Sequence, residues 1–183
     1  MCYYHVTPQL QIERMSIPIE RQSEQEMRQH RCCFTGHRPQ KLTRTEEEII
    51  AELEEEIESA IRSGYTTFIT GMAYGVDIWA GEIVVRLRQD DPRIRLIASV
   101  PFPGFESRWS REWKQRYQAL LDKADLVCFV CNSYRPSAFQ KRNEWMVNHA
   151  SRVIAVFSGA PSGTKNTIEY AKKEGVSLHI LSA

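Results

Sequence analysis

From Arg31 to the end of the chain, short apolar runs take turns with stretches of helical spacing, and few folds accommodate that order. The runs stand at 31–35 (RCCFT), 66–70 (TTFIT), 94–99 (IRLIAS), 126–130 (LVCFV), 153–157 (VIAVF) and 178–181 (LHIL). They are continuous rather than alternating, as expected for strands covered on both faces. Between them, Ile49, Leu53, Ile57 and Ile61 form a helical stripe, opened by a Thr45-x-x-Glu48 capping box and closed at Gly64. Val76, Trp79, Ile83 and Leu87 form a second stripe, and Trp109, Trp113, Leu120 and Ala124 a third. Residues 139–150 and 164–174 supply two more helices. The order predicts a three-layer α/β domain: a mostly parallel central sheet of about six strands, with helices on both faces.

One domain is expected over residues 30–183, because 183 residues suffice for one core and are short for two. Residues 1–29 show no sustained period and read as an extension, partly disordered or one short helix. The net charge of +1 exerts no general pull on nucleic acid or membrane. The eight glutamates from Glu46 to Glu58 would repel nucleic acid. No apolar run approaches the roughly 20 residues of a membrane helix, and the first residues lack the basic-then-apolar pattern of a signal peptide. The expected location is the cytoplasm.

Cys32, Cys33, Cys128 and Cys131 fall in strand runs or at their ends. A CxxC on a strand points its thiols to opposite faces, so these are expected to be reduced structural thiols. Neither a metal nor a cofactor is expected.

In an open parallel sheet, ligands bind beyond the carboxyl ends of the strands, so chemistry is sought in the residues that follow each run. These are Thr35-Gly36-His37-Arg38-Pro39, Thr70-Gly71-Met72-Ala73-Tyr74-Gly75-Val76-Asp77, Val100-Pro101-Phe102-Pro103-Gly104, Asn132-Ser133-Tyr134-Arg135-Pro136 followed by Lys141-Arg142-Asn143, and Ser158-Gly159-Ala160-Pro161-Ser162-Gly163-Thr164. Glycine lets an anion reach backbone amides without a Cβ in the way, and the helix that follows offers free N–H groups and a positive dipole end. Gly71-x-x-x-Gly75 and Ser162-Gly163-Thr164 suit that geometry, although neither is a Walker or dinucleotide glycine motif. Arg38, Arg135 and Arg142 are candidates to fork onto phosphate or carboxylate oxygens. His37 either donates a proton or hydrogen bond to a ligand or holds its own loop. Asp77, in the first turn of its helix, either meets the helix amides or accepts from ribose hydroxyls.

These segments, with Ile78-Trp79-Ala80, Pro101-Phe102 and Arg142-Asn143-Glu144-Trp145-Met146-Val147, resemble the YpsA-like family of unknown function over about residues 31–182. That family belongs to the SLOG superfamily, together with DprA and the LOG cytokinin-activating enzymes. The resemblance implies a Rossmann-like fold and a nucleotide-derived ligand. The site it implies comprises Thr35, Gly36, His37, Arg38, Gly71, Met72, Ala73, Gly75, Asp77, Arg142, Asn143, Gly159, Ser162, Gly163, Thr164 and Thr167. Arg142 and Met146 match an arginine–methionine pattern of LOG enzymes. The LOG catalytic glutamate, three residues after the Gly-Thr threonine, is replaced here by Thr167, and Glu169 lies on another side of the helix. That departure counts against phosphoribohydrolase activity, which needs an acid or a stabiliser of the developing ring charge.

The leading expectation is binding or sensing of a nucleotide, nucleotide sugar or NAD derivative at the C-terminal edge of the sheet. One alternative is a nucleotide N-glycosidase with Arg142 on phosphate and Asp77, Glu144 or His37 in acid–base roles. The other is a DprA-like module for single-stranded DNA, a partner that the charge balance does not favour. Turnover and oligomeric state, a homodimer included, stay open.

Overall fold

Each apolar run forms a strand because successive side chains feed two different cores. In the computed structural model, which describes residues 3–5 by backbone and residues 23–183 in full, the regular body follows a short strand β1 (Tyr3–His5) and a helix α1 (Glu24–Gln29). The rest of the 1–29 extension lies outside the described residues. The body then runs β2 (Arg31–Gly36), α2 (Glu46–Arg62), β3 (Thr67–Thr70), α3 (Val76–Leu87), β4 (Arg95–Val100), α4 (Arg111–Lys123), β5 (Leu126–Phe129), α5 (Ala138–Asn148), β6 (Arg152–Phe157), α6 (Gly163–Lys173) and β7 (Ser177–Ser182).

Cys32, Phe34, Phe68, Leu96, Ala98, Ile154 and Val156 face the core under α2, α3 and α4. Their neighbours Cys33, Ile69, Ile97, Val153 and Ala155 face Met146, Val147, Ile168 and Ala171 of α5 and α6. Where both faces are dry, as from Cys32 to Phe34 and from Val153 to Val156, no polar residue interrupts the run. Burial also pushes the thiols of Cys32 and Cys33 up, which keeps them protonated and inert.

Helix boundaries follow local chemistry. The Thr45–Glu48 capping box opens α2, and Ile49, Leu53, Ile57 and Ala60 are its buried stripe. At its end, the Gly64 amide donates to Ile61 O (2.9 Å) and the Tyr65 amide to Ala60 O (3.1 Å). That Schellman pairing needs the positive φ of Gly64, +91°. The third stripe is corrected: Trp109 precedes α4, whose cap is Ser110, and the fully buried positions are Tyr117 and Leu120. Cys131 likewise lies beyond the end of β5.

The strand order is β1-β5-β4-β3-β2-β6-β7. The strands β2 to β7 are parallel, and β1 alone runs antiparallel, beside β5. From β2 the chain steps outward through β3, β4 and β5, then α5 carries it back to β6 on the other side of β2. The order therefore reverses between β2 and β6. Loops leaving neighbouring strands there diverge to opposite faces, which opens a crevice at the C-terminal edge. Among the described residues, no helix is long and apolar enough to cross a membrane.

Candidate functional site

The reversal point holds a cleft of about 280 Å³. Thr35, Gly36, His37 and Arg38 enter it from β2, Ala73 and Asp77 from the β3–α3 turn, Arg142 and Asn143 from α5, and Ser162, Gly163 and Thr164 from α6. Lys41 and Phe139 complete the lining. Neither stands in a glycine turn at a strand end, yet the spacing of both is suggestive. Phe139 stands three residues before Arg142 on one helix face, and Lys41 stands three after Arg38 across a 3-10 turn (Pro39–Lys41).

Five expected site residues do not line the cleft, each for a physical reason. Met72 has a positive φ of 61° and turns its side chain into the core. Gly75 caps α3, and a Cβ there would stand 2.8 Å from Pro39 Cδ and 3.0 Å from His37 O, so it lets two loops pack together. Gly159 faces open space. Thr167 is buried, with its hydroxyl donating back to Gly163 O at 2.9 Å. Gly71 lies under the Arg142 guanidinium, to which its carbonyl is hydrogen-bonded.

Arg142 is not poised as an outward phosphate fork. Its Nη1 donates to Gly71 O and pairs with Asp77 Oδ2 at 3.2 Å, and the two side chains are only 6% and 7% exposed. Asp77 also accepts from the Ala73 amide at 3.3 Å. Burial raises its pKa, opposed by the Arg142 charge and by these hydrogen bonds. The pair is thus a clamp joining α5 to the β3–α3 turn. One group is left over: Arg142 Nε is buried without a partner among the described residues.

Two helix N-termini meet the cleft, and they differ. That of α3 carries its own anion, Asp77. That of α6 has no acidic residue in its first turn. Ser162 caps it by accepting from the Lys165 amide at 3.2 Å, while the Gly163 and Thr164 amides have no acceptor among the described residues. Arg38 and Lys41, at the mouth, hold no carboxylate among the described residues.

His37 holds its loop, since Nε2 meets Ser158 Oγ at 3.0 Å and the ring lies 5.6 Å from that of Phe157. Burial chiefly, and the Lys41 charge in addition, lower its pKa. The folded state therefore prefers the neutral ring. Its contribution to stability is complete above the ordinary value of 6.5 and is lost as pH falls from there toward the depressed value. Urea unfolding between about pH 7.5 and 5 should show this loss, with a slope from His37 of at most about 1.4 kcal/mol per pH unit. His37→Gln should flatten that slope. An unchanged slope would contradict the assignment.

Fold and cleft together define a Rossmann-like α/β protein with a polar site at its switch point. The chain belongs to the YspA SLOG family, which it matches over residues 32–181. It is 32% identical over 144 residues to the uncharacterised SPbeta prophage-derived protein YoqJ of Bacillus subtilis, covering 72% of this chain and 82% of that one. It is 29% identical over 123 residues to a UPF0398 protein of Halalkalibacterium halodurans, covering 66% of this chain and 65% of the relative. Among solved structures, it is similar to DNA processing protein A (DprA) from Streptococcus pneumoniae, with a TM-score of 0.62 and 18% identity over 84% of this chain. The chain spans about half of that DprA, 50% of its length. DprA from Helicobacter pylori, described for its single-stranded DNA binding mode, aligns with a TM-score of 0.59 and 18% identity, covering 86% of this chain and 66% of its own. At these identities the likeness to DprA is one of fold.

Proposed function

We propose that the cleft binds the phosphate of a nucleotide or nucleotide-derived ligand and that the protein acts by binding or sensing it. One observation carries this reading: the acid-free N-terminus of α6, with open amides at Gly163 and Thr164, shares the cleft with Arg142, whose buried Nε has no partner among the described residues. Amides and a helix dipole favour an anion there, and Arg38 and Lys41 add positive charge at the mouth. Phe139 offers an aromatic face beside them, as a base would need.

Cleavage of a glycosidic bond is less well supported. Among the residues lining the cleft, Asp77 is the one carboxylate, and it is engaged by Arg142 and the Ala73 amide. Thr167, where LOG enzymes carry glutamate, is buried. The reading places the protein in the cytoplasm, where nucleotides abound and free buried thiols such as Cys32 and Cys33 persist.

Thermal unfolding against nucleotides, nucleotide sugars and NAD derivatives tests the proposal. A ligand at about 100 times its Kd adds about 2.7 kcal/mol, which for a chain of this size raises Tm by about 5–10 °C. No shift with any of them would contradict it. The fold shared with H. pylori DprA motivates a second arm with single-stranded DNA, where binding would fall steeply with salt.

A further inference from the structure

A second hollow, of about 460 Å³, adjoins the cleft and shares Arg38 with it. Tyr74, Trp109 and Trp113 form its wall, with Arg108 at the rim. The wall is rigid: the Tyr74 ring lies 5.1 Å from Trp109 and 5.6 Å from Trp113, and Trp109 lies 4.8 Å edge-on to Phe105. Yet Tyr74, Trp109 and Trp113 are only partly buried, so apolar ring area still faces solvent in a concave setting. Arg38 lies over Tyr74, 4.5 Å from the ring centre, and donates to its hydroxyl at 3.2 Å. Arg108 is exposed and has no ion pair or hydrogen bond among the described residues. Rigid aromatic faces beside arginines that meet no carboxylate among the described residues suit a planar heterocycle carrying phosphate, with the ring stacking and the anion meeting a guanidinium.

Size and charge narrow the ligand further. The cleft alone is just under the roughly 300–1,000 Å³ usual for small-molecule sites, so it holds one part of a ligand better than a whole one. On the far side of Trp113, Arg116 stacks on that ring at 4.6 Å but is tied to Glu82 at 2.6 Å and Glu46 at 3.8 Å. Arg116 is therefore not free to receive a longer polyanion. We infer that the groove takes the second planar ring of a dinucleotide-type ligand, two heterocycles joined through phosphate, with Arg38 at the junction and the phosphate in the cleft. This rests on the phosphate reading of the cleft.

The test compares nucleoside 5′-monophosphates with the matching symmetric dinucleoside diphosphates, for the four ribonucleosides, by titration calorimetry and tryptophan fluorescence. One dinucleotide should bind at least about tenfold more tightly than its monophosphate, because the second ring binds from a tethered position. It should also quench fluorescence more strongly. Arg108→Ala, a surface change that leaves the fold intact, should cut the dinucleotide-to-monophosphate affinity ratio about fivefold or more. Equal affinities in each pair, unchanged by Arg108→Ala, would overturn the groove inference and leave the cleft reading standing. If neither member of any pair binds, the groove inference is overturned, and the cleft reading falls with it once nucleotide sugars and NAD derivatives also leave Tm unmoved. If a short oligodeoxynucleotide binds and the dinucleotides do not, the groove belongs to a strand, and the inference is overturned.

Discussion

Gly71→Ala is expected to lower Tm by on the order of 10 °C. A methyl group there would overlap Arg142 Nη1 outright and stand 2.7 Å from both the Arg142 guanidinium carbon and Asp77 Oδ2. Gly71 has no positive φ, so alanine is conformationally allowed, and restricting the unfolded chain favours it by about 0.4–1 kcal/mol. The clash outweighs that gain. Parting Arg142 from Asp77 leaves two buried charges without partners, which costs about 3–5 kcal/mol. Urea unfolding should show a lower midpoint with an unchanged m-value. A Tm within about 2 °C of the parent would mean that the clamp contributes little to the fold.

Gly163→Ala should separate stability from binding. It stands at the first position of α6, again without a positive φ, and a Cβ there would meet only Asn143 Nδ2, at 4.0 Å. Alanine is the better helix residue by about 0.5–1 kcal/mol, so Tm should hold or rise slightly. The added methyl nevertheless enters the space before the Gly163 and Thr164 amides, where the phosphate is proposed to lie. Affinity for a nucleotide should fall by about tenfold or more, equivalent to about 1.4 kcal/mol. Calorimetric titration of both proteins checks this. Undiminished affinity in a stable variant would move the anion away from α6.

The sheet was legible in the chain because strands buried on both faces leave a plain mark. Cys32, Cys33 and Phe34 feed alternate cores, so no polar residue breaks the run. β1 left no such mark: three residues carry no period, and β1 is held by pairing with β5, far along the chain. Trp109 was misplaced because it stands four residues before Trp113, the same interval that links Trp113 to Tyr117 within α4. The Ser110 cap between them sets the true start.

The site was legible as a set of loops and less so residue by residue. Arg142 reads as a cation awaiting phosphate until its partner Asp77, 65 positions away, is brought beside it. Thr167 reads as a ligand-binding position where LOG enzymes carry glutamate, while in the fold its hydroxyl closes onto Gly163 O within the helix. The aromatic groove was hidden for a different reason. Tryptophans at helical spacing read as core, and only packing shows that Trp109 and Trp113 stop half-way in.

The central claim is that the first amides of α6 hold the anion. Its most direct test is a titration of ¹⁵N-labelled protein, followed by amide NMR, with the nucleotide that stabilises it most and with inorganic phosphate. The account predicts that the Gly163 and Thr164 resonances move furthest and saturate together with Arg142 Nε. If those signals stay in place while amides elsewhere respond, the phosphate lies somewhere else and the account is contradicted.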